Sequence, residues 1–416
     1  DVERSRGLGD VYKRQVMDRA HLPARTSAPL IWALLLAALA SGCVSQQVKK
    51  VGSTQAQYAQ AEVPPEALLQ VAIVTFDPGI PDTIKAQEKN NVIPAVREAE
   101  AKYLPHVLRD TLQNTGYWGA VRVVPAPVNT AEVTVRGTIL ESDGELLKLA
   151  ITAEDATGRV WLDKTYEETA AEYAYTEKLP AGSDPFQDIY NRIANDLLAE
   201  RREMNPPDLV ALRRVAEMRF AAQMAPDRFA QYLDTDRRGR VSVNRLPPAN
   251  DPVLARVEQI RTREELLVDT LDAHYANYRQ IIGTSYQEWR EATYREALAL
   301  RELKAAEWQR KILGAAAILG GIAAVATSDN QAQSTIGQAA VIGGIFGIQS
   351  GIAKGQERKL HEESLRELNA SLASEVEPQT VQLDGKTIML TGSAEEQYRQ
   401  WQALLAQMVA AERGTL

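Results

Sequence analysis

The chain has 416 residues and a formal net charge of -8, with 55 acidic side chains, 47 Lys and Arg side chains, and one cysteine. This length exceeds the usual size of one domain, so we expect two or three folded units. The acidic balance, without a dense cluster of Lys and Arg, argues against a nucleic-acid partner, because polyanion-binding surfaces are rich in these residues. A single cysteine excludes an intramolecular disulfide framework and a Cys-rich metal centre.

The amino-terminal region has the pattern of an export signal. Leu30–Ala40 is an apolar run of 11 residues, which is shorter than the ~20 residues that a membrane-spanning helix needs. Arg19 and Arg25 precede this run, and small residues lead from it to Gly42 and Cys43. The arrangement resembles the lipobox of bacterial lipoprotein signal peptides.

This resemblance implies cleavage between Gly42 and Cys43, a diacylglycerol on the Cys43 thiol and an acyl chain on the new amino group, with no other cofactor. The family prefers Leu three positions before the cysteine, whereas this chain has Ala40 there and Leu39 one place earlier. An ordinary signal peptide and an uncleaved anchor therefore stay open as alternatives. Val44 stands where an aspartate would retain the protein at the inner membrane, so the resemblance favours the outer membrane, facing the periplasm.

Composition and turn signals divide the chain into six segments. Because a signal peptide would start naturally at Met17, we interpret the residues before it as a non-native extension. The predicted segments are an extension (1–16), a signal peptide (17–42), a polar tether (43–66), an α/β domain (67–203), a helical domain (204–376), and a β-hairpin with a helix (377–416).

The segment 67–203 has the element order β-α-β-β-β-α. Apolar runs and helical spacing predict strands at 69–76, 121–124, 132–141, 145–154 and 159–167, and helices at 92–115 and 184–202. Short turns at Asp143-Gly144 and Thr157-Gly158 predict that the last three strands are antiparallel. Ser183 or Asp184 is expected to cap the closing helix.

The order of these elements is similar to a small domain of envelope lipoproteins. A helix leads through Gly-Tyr-Trp-Gly at 116–119 to a strand, and then to Ala-Glu-Val-Thr-Val-Arg-Gly at 131–137. This progression resembles the amino-terminal domain of TolB and the auxiliary lipoproteins of envelope transport systems. The resemblance covers about a third of the chain, and it implies a protein that binds partners and does not catalyse.

The helical domain begins with a stretch that has part of a calcium-loop pattern, Asp234 to Gly239. The fifth and twelfth ligand positions of such a loop hold Arg238 and Arg245, so we predict a surface turn leading into a short strand at 240–243, without a metal. A long helical pattern then extends over 253–311. Its aromatic stripe is predicted to pack in a core and consists of Tyr275, Tyr278, Ile282, Tyr286 and Trp289.

Small residues recur at intervals of four within 312–355, in two apolar arms around a polar tip at 328–335. Residues four apart share one face of a helix, so each arm offers a groove into which another helix can pack closely. This pattern predicts a glycine-zipper helical hairpin. Its helix-packing residues are Ala316, Gly320, Ala324, Gly343, Gly347, Gly351 and Gly355.

The zipper hairpin has two alternative settings. The cations at its base (310–311 and 354–359), the single acidic residue at its tip and the length of its arms favour a membrane-inserted hairpin. Gln338, Gln349 and Ser350 interrupt the second arm and favour a hairpin that packs against itself or other subunits in water. Both settings predict a homo-oligomer or an envelope protein complex.

The carboxyl-terminal segment has a strand, an Asp384-Gly385 turn, a second strand and then a helix. Ser393 followed by Glu396 predicts a capping box at the start of that helix. The expected fold class is therefore α+β: a small β-α-β-β-β-α domain, a long helical hairpin with the zipper, and a carboxyl-terminal β-hairpin with a helix.

Patterns of catalytic residues are absent from the sequence. The four histidines are scattered, and no nucleophile elbow or phosphate-binding glycine loop is present. We therefore expect a non-enzyme without a metal site. The expected function is that of a lipid-anchored envelope component that self-associates through the zipper, in contact with membrane lipid; the alternative is a monomeric periplasmic binding or transport-accessory lipoprotein.

Overall fold

The computed structural model describes residues 54–176, 184–324, 362–364, 366–367, 379–383 and 386–414. All of them belong to one compact unit, and its helices and strands confirm the α+β class. The predicted signal peptide, Cys43 and the second arm of the zipper hairpin lie outside the described residues.

The helices of the described residues include one of unusual length. In chain order they are α1 (Ile84–Lys89), α2 (Pro94–Asn114), α3 (Tyr173–Thr176), α4 (Gln187–Arg202), α5 (Pro206–Met224), α6 (Pro226–Phe229), α7 (Pro252–Ala324) and α8 (Ala394–Gly414).

The strands form one large sheet and two hairpins. They are β1 (Val71–Val74), β2 (Val121–Val124), β3 (Val133–Ser142), β4 (Leu146–Asp155), β5 (Val160–Thr169), β6 (Leu233–Thr235), β7 (Val241–Val243), β8 (Gln379–Leu383) and β9 (Lys386–Leu390). The sheet has the order β2-β1-β3-β4-β5, and the hairpins are β6-β7 and β8-β9.

The element order predicted for 67–203 is confirmed, and the structure adds two short helices, α1 after β1 and α3 after β5. Strands β1 and β2 are parallel and are joined through α2, with Val71 opposite Val121. Strand β3 lies on the other side of β1, also parallel to it, so that Val71 faces Val133 as well. Strands β3, β4 and β5 are antiparallel neighbours, as their short turns predicted.

Two apolar cores lie on opposite faces of the sheet. Successive side chains of a strand point to opposite faces, so Val71 and Ile73 join the core under α2 and α4, whereas Ala72 and Val74 face the core formed with α5 and α8. Helix α7 contributes side chains to both cores. The domain boundaries at 203 and 376 stay predictions, and both cores draw side chains from more than one predicted domain.

Helix α7 has 73 residues, which corresponds to a length of about 110 Å at 1.5 Å per residue. Its aromatic stripe packs into the first and second cores, as the spacing predicted. Each member of the stripe is at most 3% exposed: Tyr275, Tyr278, Ile282, Tyr286 and Trp289.

The start of α4 differs from the prediction. The helix begins at Gln187, and its N-cap residue, Phe186, makes no capping hydrogen bond through its side chain. Asp184 instead accepts a hydrogen bond from the backbone N–H of Phe186 (3.0 Å) and directs its carboxylate toward Arg290 of α7. Ser183 lies outside the described residues.

The carboxyl-terminal elements agree with the prediction. The backbone N–H of Ser393 donates to Glu396 Oε2 (2.9 Å), and the backbone N–H of Glu396 donates to Ser393 Oγ (3.2 Å), which confirms the capping box. Helix α8 packs through the fully buried Trp401 and its neighbours Tyr398 and Leu405 in the second core.

The outer edge of β2 is closed by side chains rather than by another strand. The backbone N–H of Val121 donates to Gln113 (3.1 Å), and its carbonyl accepts from Arg109 (3.1 Å). The backbone N–H of Val123 donates to Asp272 Oδ1 of α7 (2.7 Å). These groups use the hydrogen-bonding capacity that an open edge would offer to another chain.

Gly144, in the turn between β3 and β4, lies directly against the backbone of α7. A Cβ atom at this position would lie 2.0 Å from the Arg290 carbonyl oxygen and 2.4 Å from the Tyr294 amide nitrogen. No side chain fits that space, so glycine allows the turn to contact the helix. Gly283 is the matched opposite case, because a Cβ atom there would meet nothing within 4 Å.

We predict opposite effects of the same substitution at these two glycines. Gly144→Ala should lower the free energy of unfolding by about 1–3 kcal/mol, because the methyl group displaces α7. Gly283→Ala should raise it by up to about 1 kcal/mol, because alanine favours a helix interior. Urea denaturation of the two variants and the wild type provides the measurement. Equal effects of the two substitutions would contradict the close contact at Gly144.

Candidate functional site

The residues predicted to carry function are only partly within the described structure. Gly42, Cys43 and the glycines at 343, 347, 351 and 355 lie outside it. Ala316, Gly320 and Ala324 lie in the last turns of α7, where their spacing of four places them on one helical face. The described structure therefore contributes the base from which the zipper arm extends, and this base is held by buried charges.

The central contact is an ion pair between Asp184 and Arg290. The two carboxylate oxygens of Asp184 accept hydrogen bonds from Nη1 (3.1 Å) and Nη2 (2.9 Å) of Arg290. The two side chains are 1% and 0% exposed. Such a bidentate pair is both strong and specific in geometry, so it fixes the position of α7 relative to the segment before α4.

Aromatic rings enclose the Arg290 guanidinium. Its central carbon lies 4.3 Å from the centre of the Tyr286 ring and 5.7 Å from that of Tyr103, with Phe186 at 5.8 Å. Burial alone would lower the pKa of Arg290, but the Asp184 carboxylate and the hydroxyls of Tyr286, Tyr103 and Tyr175 together outweigh it and raise this pKa well above its ordinary value. Arg290 is therefore charged in the interior, balanced by one carboxylate and several ring faces.

A second buried carboxylate lies on α2, at Glu100. Its Oε1 accepts hydrogen bonds from the hydroxyls of Ser142 (2.5 Å) and Tyr286 (2.7 Å). Burial raises the pKa of Glu100, although Arg97, 3.7 Å away, lowers it in part. Glu100 thereby links α2 to the end of β3 and to α7.

Arg301 forms the last described contact of α7 with the sheet. Its guanidinium pairs with three acidic residues around the β3–β4 turn: Asp143 at 2.6 Å, Glu141 at 3.3 Å, and Glu145. From Arg301 the helix continues through 23 further residues to Ala324, about 35 Å at 1.5 Å per residue. The zipper residues of α7 belong to this continuation.

Nearer its start, α7 pairs with α2. Arg109 Nη2 lies 3.1 Å from Asp272 Oδ2, and Arg279 pairs with Asp110. Burial would raise the pKa of Asp110, but His106, Arg109 and Arg279 outweigh it and lower this pKa to about 2. Asp110 is therefore ionised at neutral pH and paired with α7.

A carboxyl group that is neutral in part lies between α7 and α8. Glu264 is 2% exposed, and its Oε1 accepts a hydrogen bond from the Tyr398 hydroxyl (3.1 Å). Burial raises the pKa of Glu264 to about 7, while the hydrogen bonds from Tyr398 and Gln402 lower it in part. The contact between α7 and α8 therefore contains a group that titrates near neutral pH.

A groove with a volume of about 920 Å³ lies beside α7, next to Glu141, Asp143 and Arg301. Its walls are α1 with the loop that follows, the end of β3, and one side of α7. Ile84 and Leu140 expose apolar surface there, at 73% and 47%. Arg97 lines the groove and donates to the Ile139 carbonyl (3.1 Å). The groove combines apolar and charged walls, which suits binding of a segment or small molecule.

The polar and charged side chains around α2 and α7 are engaged in structural contacts. Ser142, in the wall of the groove, donates its hydroxyl proton to Glu100. His106 is buried, with Nδ1 at 3.7 Å from Asp110, and His274 lies in α7. Over the described part of the chain, no three or more His, Cys, Asp or Glu side chains are arranged to hold a metal ion.

These buried charges were not predicted, although each had a signal in the sequence. Glu100 lies four residues from Val96 and Leu104, Glu264 four residues after Ile260, and Arg290 four residues after Tyr286. Each charge therefore continues an apolar stripe of its helix. A charged residue in such a register indicates a buried partner, because an unpaired charge is costly in the interior.

Comparisons with protein-family models, with curated proteins and with solved structures gave no match. Among the described helices, none combines the length and the apolar composition needed to cross a membrane. Function must therefore be inferred from the residues and their geometry.

The titration of Glu264 predicts how stability depends on pH. The folded state holds the proton more tightly than the unfolded state, whose pKa is near 4.5. The stabilisation is complete below pH 4.5 and is lost as the pH rises through about 7. At roughly 1.4 kcal/mol per pKa unit, the loss is about 3 kcal/mol.

Glu264→Gln should remove this loss. The difference in free energy of unfolding between the variant and the wild type should therefore shift in favour of the variant from pH 5 to pH 8. Glu258→Gln makes the same change at an exposed position of the same helix and should keep the dependence of the wild type. Urea midpoints for the three proteins across this range measure the difference. Parallel curves for the wild type and Glu264→Gln would show that Glu264 does not titrate there.

Proposed function

We propose that the protein is a lipid-anchored component of the bacterial envelope that self-associates through the zipper hairpin and acts as a structural or assembly element. It is attached through Cys43 to the outer membrane and faces the periplasm. It is not an enzyme, and its partners are membrane lipid and further copies of itself or an envelope complex.

The observation that carries this proposal is the continuity of α7. One helix runs from the buried Asp184–Arg290 pair, through the contacts of Arg301, into the turns that hold Ala316, Gly320 and Ala324. A base fixed by bidentate contacts limits the directions that the small-residue face can take. Association of several copies then costs less orientational entropy than it would for an unconstrained arm.

The zipper is tested by two matched double variants. Gly347→Leu with Gly351→Leu fills the predicted packing face, so the protein should change from an oligomer to a monomer in sedimentation. Gln338→Leu with Gln349→Leu introduces the same two side chains on the opposite face of the predicted helix and should leave the oligomer intact. If the first variant kept its oligomeric size, or if both variants lost it equally, association through the zipper would be refuted.

The anchor is tested separately with Cys43→Ser. The variant lacks the thiol that carries the diacylglycerol, so labelled palmitate should not be incorporated and the precursor should keep its signal peptide. The wild type should incorporate the label and fractionate with the outer membrane. Normal processing of the variant would instead support an ordinary signal peptide.

The groove beside α7 favours a second candidate function. A monomeric binding or transport-accessory lipoprotein would use the 920 Å³ space between α1, β3 and α7 to hold its ligand. Deletion of 312–355 separates the two candidates, because a scaffold loses its oligomeric size and a monomeric binding protein does not.

A further inference from the structure

Three arginines lie within four residues on the turn of the β6–β7 hairpin, which we call the arginine hairpin (Leu233–Val243). Arg237, Arg238 and Arg240 are exposed. Within the described residues, no hydrogen bond or ion pair engages their guanidinium groups. This distinguishes them from Arg290 and Arg301, whose charges are paired.

The turn that carries these arginines has a fixed conformation. Asp236 Oδ1 accepts hydrogen bonds from the backbone N–H groups of Arg238 and Arg240, each at 2.8 Å. Gly239 adopts a positive φ of 79°, which favours glycine. The backbone N–H of Val241 donates to the Thr157 carbonyl (2.8 Å) and joins the hairpin to the β4–β5 turn. The predicted surface turn is thus confirmed, and it presents a defined basic surface.

A polar hollow of about 80 Å³ adjoins the same β4–β5 turn. Arg136 and Arg219 line it, together with Asn129 and Glu154. Arg219 donates to the Ala156 carbonyl (2.7 Å). The hollow also contains Glu154 and Asp155, and the hairpin contains Asp234 and Asp236. These four carboxylates against five arginines leave the region with a net charge of about +1, and the three exposed arginines lie together on the turn.

This basic surface lies at one end of the sheet, and the groove lies at the other. Val133, at the start of β3, pairs with Asp155 beside the hairpin, whereas Ser142 at its end lines the groove. The ten residues of β3 separate the two regions by about 30 Å. Substitutions at the groove end therefore serve as controls for the basic surface.

The surface is within reach of the membrane to which Cys43 would be attached. The backbone N–H of Thr54 donates to Asp188 at the start of α4 (3.0 Å), and Glu200 near the end of α4 pairs with Arg159 of the β4–β5 turn (2.7 Å). Asp188 and Glu200 are twelve positions apart along α4, which corresponds to about 18 Å. Cys43 and Thr54 are eleven positions apart in the sequence, so the chain between them extends at most about 40 Å.

We propose that the arginine hairpin and the adjoining hollow bind the anionic phospholipid headgroups of the bilayer that holds the anchor. The inference rests on the proposed lipid anchor for its geometry. Guanidinium groups pair well with phosphate oxygens, and unpaired arginines near an anionic bilayer are attracted to it, each by about fivefold in partition. Three arginines together correspond to about 100-fold.

The direction of α7 gives the proposal a further consequence. Near its start, Arg261 donates to the Thr130 carbonyl (3.2 Å) beside the beginning of β3. Further along, Arg290 contacts Gly144 beyond the end of β3. The helix therefore runs from the basic end of the sheet toward the groove end, and its zipper residues lie away from the bilayer that the arginines contact.

The test uses the full chain with Cys43→Ser, so that binding does not depend on lipidation. Its partition onto vesicles of phosphatidylcholine is compared with that onto vesicles that also contain phosphatidylglycerol. The ratio of the two coefficients cancels the contribution of apolar segments. The variant Arg237→Gln, Arg238→Gln, Arg240→Gln should lower this ratio by about 100-fold, and high salt should lower the ratio of the parent chain.

The matched control removes the same charge at the groove end, through Lys85→Gln, Lys89→Gln and Arg295→Gln. It should keep the ratio within about twofold of the parent chain, because these residues do not face the bilayer. An unchanged ratio in the arginine variant, or an equal fall in the control, would overturn the proposal.

Competition separates a membrane surface from two other ligands. Excess soluble glycerol phosphate should not release the protein, because several headgroups bind at once; complete release would indicate a single phosphate site and overturn the proposal. Arginine-dependent capture of an acidic protein, without any preference for anionic vesicles, would overturn it as well. Failure of lipidation would affect only the proposed anchor, since this chain already lacks Cys43.

Discussion

Arg290 brings a full positive charge into an interior formed by aromatic rings, and Asp184 is the group that balances it. Burial of such a charge costs several kcal/mol unless a partner with good geometry compensates. This compensation requires both hydrogen bonds of the pair. It therefore fixes the rotation of α7 about its axis and its position along that axis relative to the sheet. Gly144, packed on the Arg290 carbonyl, and Tyr286, bonded to Glu100, lie within a turn of this position and depend on it.

Local elements of the fold were predictable because their signals are short in range. The periodicity of α2, the turn at Asp143-Gly144 and the capping box at Ser393 act within a few residues, and each is present in the structure. The position of β3 beside β1 was not predictable, since it depends on contacts between segments about 60 residues apart. Asp184 shows the same limit: its type suits a helix cap, but a partner 106 residues away binds its carboxylate.

The candidate sites were also predictable from the sequence only in part. The spacing of Ala316, Gly320 and Ala324 was visible from the sequence, whereas the body that holds their helix was not. Of the arginines at 237, 238 and 240, only Arg238 was singled out from the sequence, as a residue that does not suit a calcium loop. Whether these arginines are available to bind a ligand depends on whether acidic partners lie nearby, and this is a property of the folded chain. Sequence periodicity therefore located the helices, and the folded chain showed which charges are paired.

The closed edge of β2 has a consequence for the order in which the chain acquires its structure. Val123 donates to Asp272, a residue 149 positions later in the chain. Because synthesis proceeds from the amino end, β1 and β2 emerge well before this acceptor, so the edge stays open to pairing with foreign strands for that interval. Contacts of such long sequence separation form late because closing the intervening loop costs entropy. A chaperone that shields this edge until α7 is formed would protect the nascent protein while the edge is open.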